Sequence, residues 1–307
     1  MANAFGRIID GTDLSVDAAE LRGFIHRDYL KHCLVWSHIA QYLRLKGRYK
    51  TARILDVGCG SDLPLARVLH TNRLLVDDYV GIDYNPASKF TDHKFGSMEV
   101  HTHGNCIFPR DVKLNKDGTY EIKKNGEKHV APNFITNFEV LEHVQSKHAV
   151  SMMKAFHKLA SASPDGCEVF ISTPCWNVKD TAKNHVNEMR QQALGATLED
   201  VGFEVINNYG TFANIYDYKD ELFKRYPGIE PFFNDIRKYH DSNVLANMFC
   251  SPFPELSRNS LFHLRPAKEG YVRKFPMLAD IPTPWASSDD WQNLDTVGGQ
   301  VPEEHRG

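Results

Sequence analysis

Apolar residues recur at helical spacing between residues 14 and 48, with Leu21, Phe24 and Ile25 followed by Leu34, Val35, Ile39 and Leu43. The chain is therefore expected to open with two helices, Asp13 or Ser15 capping the first. The rhythm then changes. ARILDVGCG, SDLPLARVLH and YVGIDYNP read as strand, glycine turn, helix and second strand, a series that builds a parallel sheet. A third strand with a weaker pattern is predicted over 98–107. Between 111 and 130 the composition turns polar, and the turn signals KDG and NG separate VKL, TYEI and EKHV, predicting a hairpin-like excursion at the surface.

The sheet resumes at NFITNF, followed by a helix over about 146–161, the strand EVFIST ended by Pro174, a helix over about 187–200 and the strand VGFEVINNYG. Residues 211–258, rich in Tyr and Phe, predict helices inserted before a final strand, SLFHLRP. Aromatic faces of this kind complete a core or cover a substrate. From Ala267 onward Pro, Gly and acidic residues prevail, and a loosely packed or disordered tail is expected. No internal repeat is found.

A chain of 307 residues suits one large domain with insertions. The expected division is an N-terminal helical segment (1–49), a main domain (50–266) carrying insertions at 111–130 and 211–258, and a tail (267–307). Hydrophobic content of 42% and charged content of 24% are ordinary for a soluble globular protein. A net charge of -3 and a pI near 6.6 give no global footprint for nucleic acid. The first residues lack a basic stretch followed by an apolar core, and no apolar run reaches membrane-spanning length, so a cytoplasmic protein without a membrane partner is expected. Six cysteines without a CxxC pair fit reduced thiols. None of these features bears on oligomeric state.

DVGCGSD, residues 56–62, joins an apolar strand to a helix. Gly58 and Gly60 remove side chains where the backbone turns sharply and a ligand can approach main-chain N–H groups. Asp83, in GIDYN at the end of the next strand, can accept both hydroxyls of a ribose in a crevice at the carboxyl ends of parallel strands. The dinucleotide fingerprint G-x-G-x-x-G is incomplete, because Leu63 stands at its third glycine position. Asp56, two residues before the first glycine, suits a ligand carrying an ammonium group rather than a pyrophosphate.

LDVGCG, GIDYN, NFEVLEHV and FISTP, in this order, resemble the motifs of class I S-adenosylmethionine-dependent methyltransferases over roughly residues 50–266. The resemblance implies an α/β, Rossmann-like seven-stranded sheet whose last strand runs antiparallel, here with N-terminal helices and a helical insertion before that strand. It implies that Asp56 and the backbone of Gly58, Cys59 and Gly60 hold the methionine end of S-adenosyl-L-methionine. Asp83 would take the ribose, with Tyr84 beside the adenine and Phe138 near the methyl donor. Asn105 falls where the family usually has an aspartate reading the adenine amino group, and Cys106 adjoins it. Asp62 replaces the usual third glycine and is read as a helix cap.

Within NFEVLEHV, a helical reading puts Glu139, Glu142 and His143 on one face. Two carboxylates and an imidazole converging at strand ends call for water, a lysine or a metal ion among them. His185 and Glu188 follow a loop long enough to fold back over the same crevice. E-x-x-E-H, a Ser-Thr-Pro strand end and a later histidine are similar to the pattern of small-RNA 3′-terminal 2′-O-methyltransferases. That resemblance implies a divalent metal, Mg, Mn or Zn, bound by Glu139, Glu142, His143 and His185. Ubiquinone-biosynthesis O-methyltransferases show an EVLEHV-like segment too. Metal-free readings stay open: His143 or His185 as catalytic general base or substrate contact, or a structural role in which Glu142 pairs locally and His185 and Glu188 cap a helix.

The expected function is S-adenosylmethionine-dependent methyl transfer to a hydroxyl of a small molecule, sugar or nucleotide, with divalent-metal assistance. The alternatives are transfer to the 2′-hydroxyl at an RNA end, which the charge does not support, transfer to nitrogen, and a cofactor-binding interaction protein without turnover.

Overall fold

The computed structural model describes residues 29–46, 52–60, 63–72, 76, 78–84, 93–95, 98–176, 185–212, 215–239, 245 and 249–281. The first of the two N-terminal helices, Asp62 and the tail from residue 282 on lie outside these.

Helix α1 (Tyr29–Lys46) leads into β1 (Arg53–Val57), α2 (Pro64–Thr71) and β2 (Asp78–Ile82). The edge strand β3 (His93–Phe95) and its neighbour β4 (Met98–His103) follow, then the excursion β5 (Val112–Leu114), β6 (Thr119–Ile122) and β7 (Glu127–Val130). The chain returns through β8 (Phe134–Phe138), α3 (Ser146–Ser161), β9 (Glu168–Pro174), α4 (Gln191–Val201) and β10 (Phe203–Phe212). Helices α5 (Ile215–Arg225) and α6 (Ile229–Ile236) precede the last strand, β11 (Asn259–Pro266).

The main sheet has the order β10-β11-β9-β8-β1-β2-β4-β3. β4, β2, β1, β8 and β9 are mutually parallel, and β11 runs antiparallel to both β9 and β10. The antiparallel last strand is as expected. The seven expected strands are present, and among the described residues β3 adds an eighth at the edge, pairing antiparallel with β4 over only three residues, too short a run to show alternation in sequence.

Alternation along the central strands divides the core between two faces. Leu55, Val57, Val80, Ile82 and Ile135 point toward α3 and α4, meeting Met152, Met153, Phe156, Leu194 and Leu198. Ile54, Tyr79 and Phe134 point the other way, toward Val35 and Ile39 of α1 and Leu65 and Leu69 of α2. Both faces being covered, β8 is buried along its whole length. The excursion at 111–130 is a separate three-stranded antiparallel sheet, β5-β6-β7.

The insertion before β11 has its own small core of Leu222, Phe233, Leu245 and Cys250, against which Leu30 of α1 also packs. Of the tail expected from Ala267, residues 267–281 are described; most are exposed, yet the segment is tied to α4. There the Tyr271 hydroxyl donates to Glu199 Oε1 (2.6 Å), the Lys274 and Phe275 amides donate to the same carboxylate (2.8 and 3.2 Å), and the Phe275 ring fills the space a side chain at Gly195 would need. A buried acid on α4 thus anchors a polar segment, which composition alone does not reveal.

Candidate functional site

Parallel strands β1, β2, β8 and β9 end together, and the glycine loop leaves the first of them. Gly58, at φ +82°, lies so close to Val140 that a Cβ there would stand 2.1 Å from Val140 Cγ2. Gly60, at φ +66°, has nothing among the described residues within 4 Å of where its Cβ would be, which leaves the loop open on the crevice side. The Gly58 and Cys59 amides donate to Ile82 O (2.7 and 3.3 Å), and the Gly60 amide donates to Asp83 Oδ2 (2.9 Å). Asp83 therefore stands at the loop's lip.

Asp56 is directed into the sheet. Thr136 Oγ1 donates to its Oδ1 at 2.7 Å and the Tyr79 hydroxyl to its Oδ2. Burial pushes its pKa up to about 6, against the pull of those two hydroxyls. Cys59 and Cys106 are buried thiols, the first pushed well above its ordinary pKa and the second up to about 11, both mainly by burial, so they are protonated packing groups. Cys106 donates its amide to Asp83 O (2.9 Å), which holds Asn105, exposed and left-handed at φ 54°, beside the ends of β2 and β4 with the half-exposed Tyr84. Phe138 is buried at the end of β8, edge-on to the His32 ring.

The segment after Phe138 departs from the helical expectation. The Glu139 amide donates to Ser172 O (2.9 Å), carrying the β8–β9 pairing one residue further; Glu139 then turns left-handed (φ 54°), and Leu141–His143 form a single 3₁₀ turn. The three polar side chains consequently do not share a helical face. Glu139 faces Lys31 Nζ of α1 at 3.0 Å and accepts from Ser172 Oγ and Asn259 Nδ2, both at 2.7 Å. A lysine occupies one carboxylate, one of the three occupants the sequence called for.

Glu142 goes elsewhere. It is 1% exposed, accepts from the Thr173 hydroxyl (3.0 Å) and lies 3.8 Å from His143 Nε2. Burial first, and the nearby Glu139 charge second, push its pKa well above the ordinary carboxylate range. The His143 and His185 rings meet edge to face at 4.9 Å between centroids, and one ligand atom from each of Glu142, His143 and His185 lies within 4.8 Å of the other two. His185 is delivered there because the Val186 and Asn187 amides donate to Glu142 O (2.7 and 3.1 Å), and Glu188 contacts His185 Nδ1. With Nδ1 protonated toward Glu188, Nε2 keeps its lone pair. A carboxylate opposed by burial and by a neighbouring acid, flanked by two imidazoles, suits a cation.

Sequence reading missed Lys31 and Asn259. Lys31 is in register with Val35 and Ile39, both fully buried, so a lysine on that face of α1 was the signal that an acid waits beneath it.

A family profile described as a methyltransferase domain matches residues 29–208. The chain belongs to this family. It is a class I S-adenosylmethionine-dependent methyltransferase. The match to the methyltransferase domain begins with α1, so that helix belongs to it, and stops within β10, before the insertion and β11. No curated protein sequence matches the chain. Similar solved structures include the [4+2]-cyclase SpnF, 14% identical over 76% of this chain and 79% of that one (TM-score 0.43). Magnesium protoporphyrin IX methyltransferase from Synechocystis PCC 6803 is 11% identical over 86% and 93% (TM-score 0.42). The small RNA methyltransferase HEN1 is 12% identical over 78% of this chain and 26% of that one (TM-score 0.42). No helix among the described residues is long and apolar enough to cross a membrane.

Proposed function

We propose that this methyltransferase moves its methyl group to a hydroxyl of a small molecule, sugar or nucleotide, and that Glu142, His143 and His185 hold a divalent metal for that purpose. The reading rests on the meeting of those three side chains within 4.8 Å at the ends of β8 and β9. Glu139, paired with Lys31, stands outside the set. One carboxylate and two imidazoles favour Mn²⁺, Fe²⁺, Co²⁺ or Zn²⁺ over Mg²⁺ and leave positions open for substrate oxygens. When bound, such an ion lowers the proton affinity of a hydroxyl and fixes its position.

The chain supplies the remainder. The Gly58–Gly60 backbone and Asp83 hold the donor, Glu188 orients His185, and Thr173 orients Glu142. In transfer the acceptor oxygen forms a bond to the methyl carbon as the carbon–sulfur bond breaks, and the hydroxyl proton leaves to solvent water, which reaches the site beside His143, whose side chain is 39% exposed. The acceptor wall is assigned to the insertion, because Leu30 packs into its core while the next two residues reach Glu139 and Phe138.

The test is transfer of labelled methyl to a panel comprising a catechol, a sugar, a nucleoside diol, an RNA 3′ end and an amine, with chelator or with added Mn²⁺. Transfer to a hydroxyl, stimulated by Mn²⁺, is expected. Equal rates in both conditions would remove the metal, and label on the amine alone would remove the hydroxyl.

A further inference from the structure

A second group of imidazoles lies where the accessory sheet meets β4. His101 and His103 alternate along β4 and so face the same side; Glu127 and His129 alternate along β7 and face them. The Glu127 carboxylate is the common centre. It stands 3.1 Å from His101 Nδ1, 3.7 Å from His103 Nε2 and 3.4 Å from His129 Nε2. Yet neither His103 Nε2 nor His129 Nε2, both buried, has a hydrogen-bond partner among the described residues. His129 is only 7% exposed, so its unpartnered nitrogen is costly as it stands.

We propose that His101, His103, Glu127 and His129 form a structural Zn²⁺ site that fastens the accessory sheet β5-β6-β7 to the main sheet. Ligand atoms of His103, Glu127 and His129 already lie within 4.8 Å of one another. Donors around a tetrahedral Zn²⁺ at about 2.0–2.1 Å sit about 3.3 Å apart, so small side-chain shifts complete the shell. Three nitrogens and one oxygen fit Zn²⁺ and are poor for Mg²⁺ or Ca²⁺, and four protein ligands close the site. Asp78 stands 3.6 Å behind His129 Nδ1, the place of the carboxylate that orients a ligating imidazole. The Tyr120 ring stacks on His129 at 5.2 Å and fixes its plane.

The location gives the site a consequence. The His103 carbonyl accepts the Asp83 amide (3.1 Å), and Lys124, between β6 and β7, contacts Asn105 O. Anchoring β7 to β4 thus steadies the same strand ends that carry Asp83 and Asn105.

The full chain, stripped of metal by dialysis against chelator, is titrated with Co²⁺ and then Zn²⁺. One equivalent showing the intense visible bands of four-coordinate Co²⁺ and displaced by Zn²⁺ is expected, present in Glu142→Ala/His143→Ala and lost in His103→Ala/His129→Ala. Zn²⁺ is also expected to raise the urea midpoint of the chain carrying Glu142→Ala/His143→Ala and not that of the His103→Ala/His129→Ala variant. Should the latter fail to fold, Glu127→Gln, at a one-third exposed side chain, carries the same test. Retention of that equivalent in Glu127→Gln and in the double histidine variant, or no bound metal at all, would overturn the site and leave a metal-free hydrogen-bonded clasp.

Discussion

Asp56 and Glu142 are both buried acids at the carboxyl ends of neighbouring parallel strands, and their surroundings make them different chemical objects. Asp56 faces two hydroxyls, from Tyr79 on β2 and Thr136 on β8, so its oxygens serve as struts between the strands that frame the glycine loop. Glu142 has one hydroxyl, from Thr173, and otherwise faces a second acid and two imidazoles. Burial raises both pKa values and a nearby acid adds to each, but at Asp56 the two hydroxyls outweigh the Asp83 charge, whereas at Glu142 the Glu139 charge outweighs the single hydroxyl. The lesson is that burial alone does not mark a reactive acid; an unfilled demand for positive charge does.

The largest expected effect breaks the comparison on the Glu142 side. Replacing Glu142 by Ala should lower methyl transfer by roughly 10²–10⁴-fold, the range for a lost proton-transfer or hydroxyl-activating group. S-adenosylmethionine affinity should stay within about tenfold, roughly 1.4 kcal/mol, measured by calorimetric titration. An unimpaired rate would make Glu142 a strut like Asp56. Next comes Lys31→Met, which leaves the partly buried Glu139 without its countercharge and should destabilise the fold by about 1–3 kcal/mol in urea unfolding. Adding Glu139→Leu should restore much of that loss. If the single variant is as stable as wild type, Glu139 is free to join the Glu142 group after all.

How much of this was legible in sequence follows from the range of each interaction. The order of strands and helices, the glycine loop and the antiparallel last strand rest on local periodicity and turn chemistry, and LDVGCG and GIDYN carry both. The separation of Glu139 from Glu142 was not legible, because it depends on Lys31 and Asn259, far away in the chain, and on one extra β8–β9 hydrogen bond that replaces a helical turn by a left-handed residue. The same holds for residues 267–281, whose composition is that of a loop and which are tied down by distant partners, the buried acid Glu199 and also Asp200 and the Ile206 carbonyl. His101, His103, Glu127 and His129 were visible only as alternating polar residues on two short strands; their facing required the accessory sheet to fold onto β4.

A pH titration sharpens the Asp56 side. Its carboxyl is raised from an ordinary 3.8 to about 6 in the folded protein. A raised carboxyl binds its proton more tightly when folded, so its contribution to stability is complete below about pH 4 and is lost as the pH climbs through 6. Relative to Asp56→Asn, wild type should therefore lose stability between about pH 4 and pH 6, by up to about 3 kcal/mol, and run parallel above that. A difference independent of pH would mean that Tyr79 and Thr136 hold the ionised form outright.

The smallest effect concerns Asp83, which lies between the two cases: it accepts the Gly60 amide like a strut, yet it sits at the lip of the crevice where a ribose would meet it. Asp83→Asn separates these roles, since the amide oxygen can still accept the Gly60 N–H while the charge that strengthens bonds from two ribose hydroxyls is gone. Stability should change by less than about 0.5 kcal/mol, whereas the donor should bind about tenfold more weakly, close to 1.4 kcal/mol. Asp83→Ala should extend the loss toward a hundredfold, because the loop then loses its acceptor as well. If Asp83→Asn binds S-adenosylmethionine as wild type does while Asp83→Ala is merely less stable, Asp83 belongs with Asp56 among the struts, and the ribose must be held by the loop backbone alone.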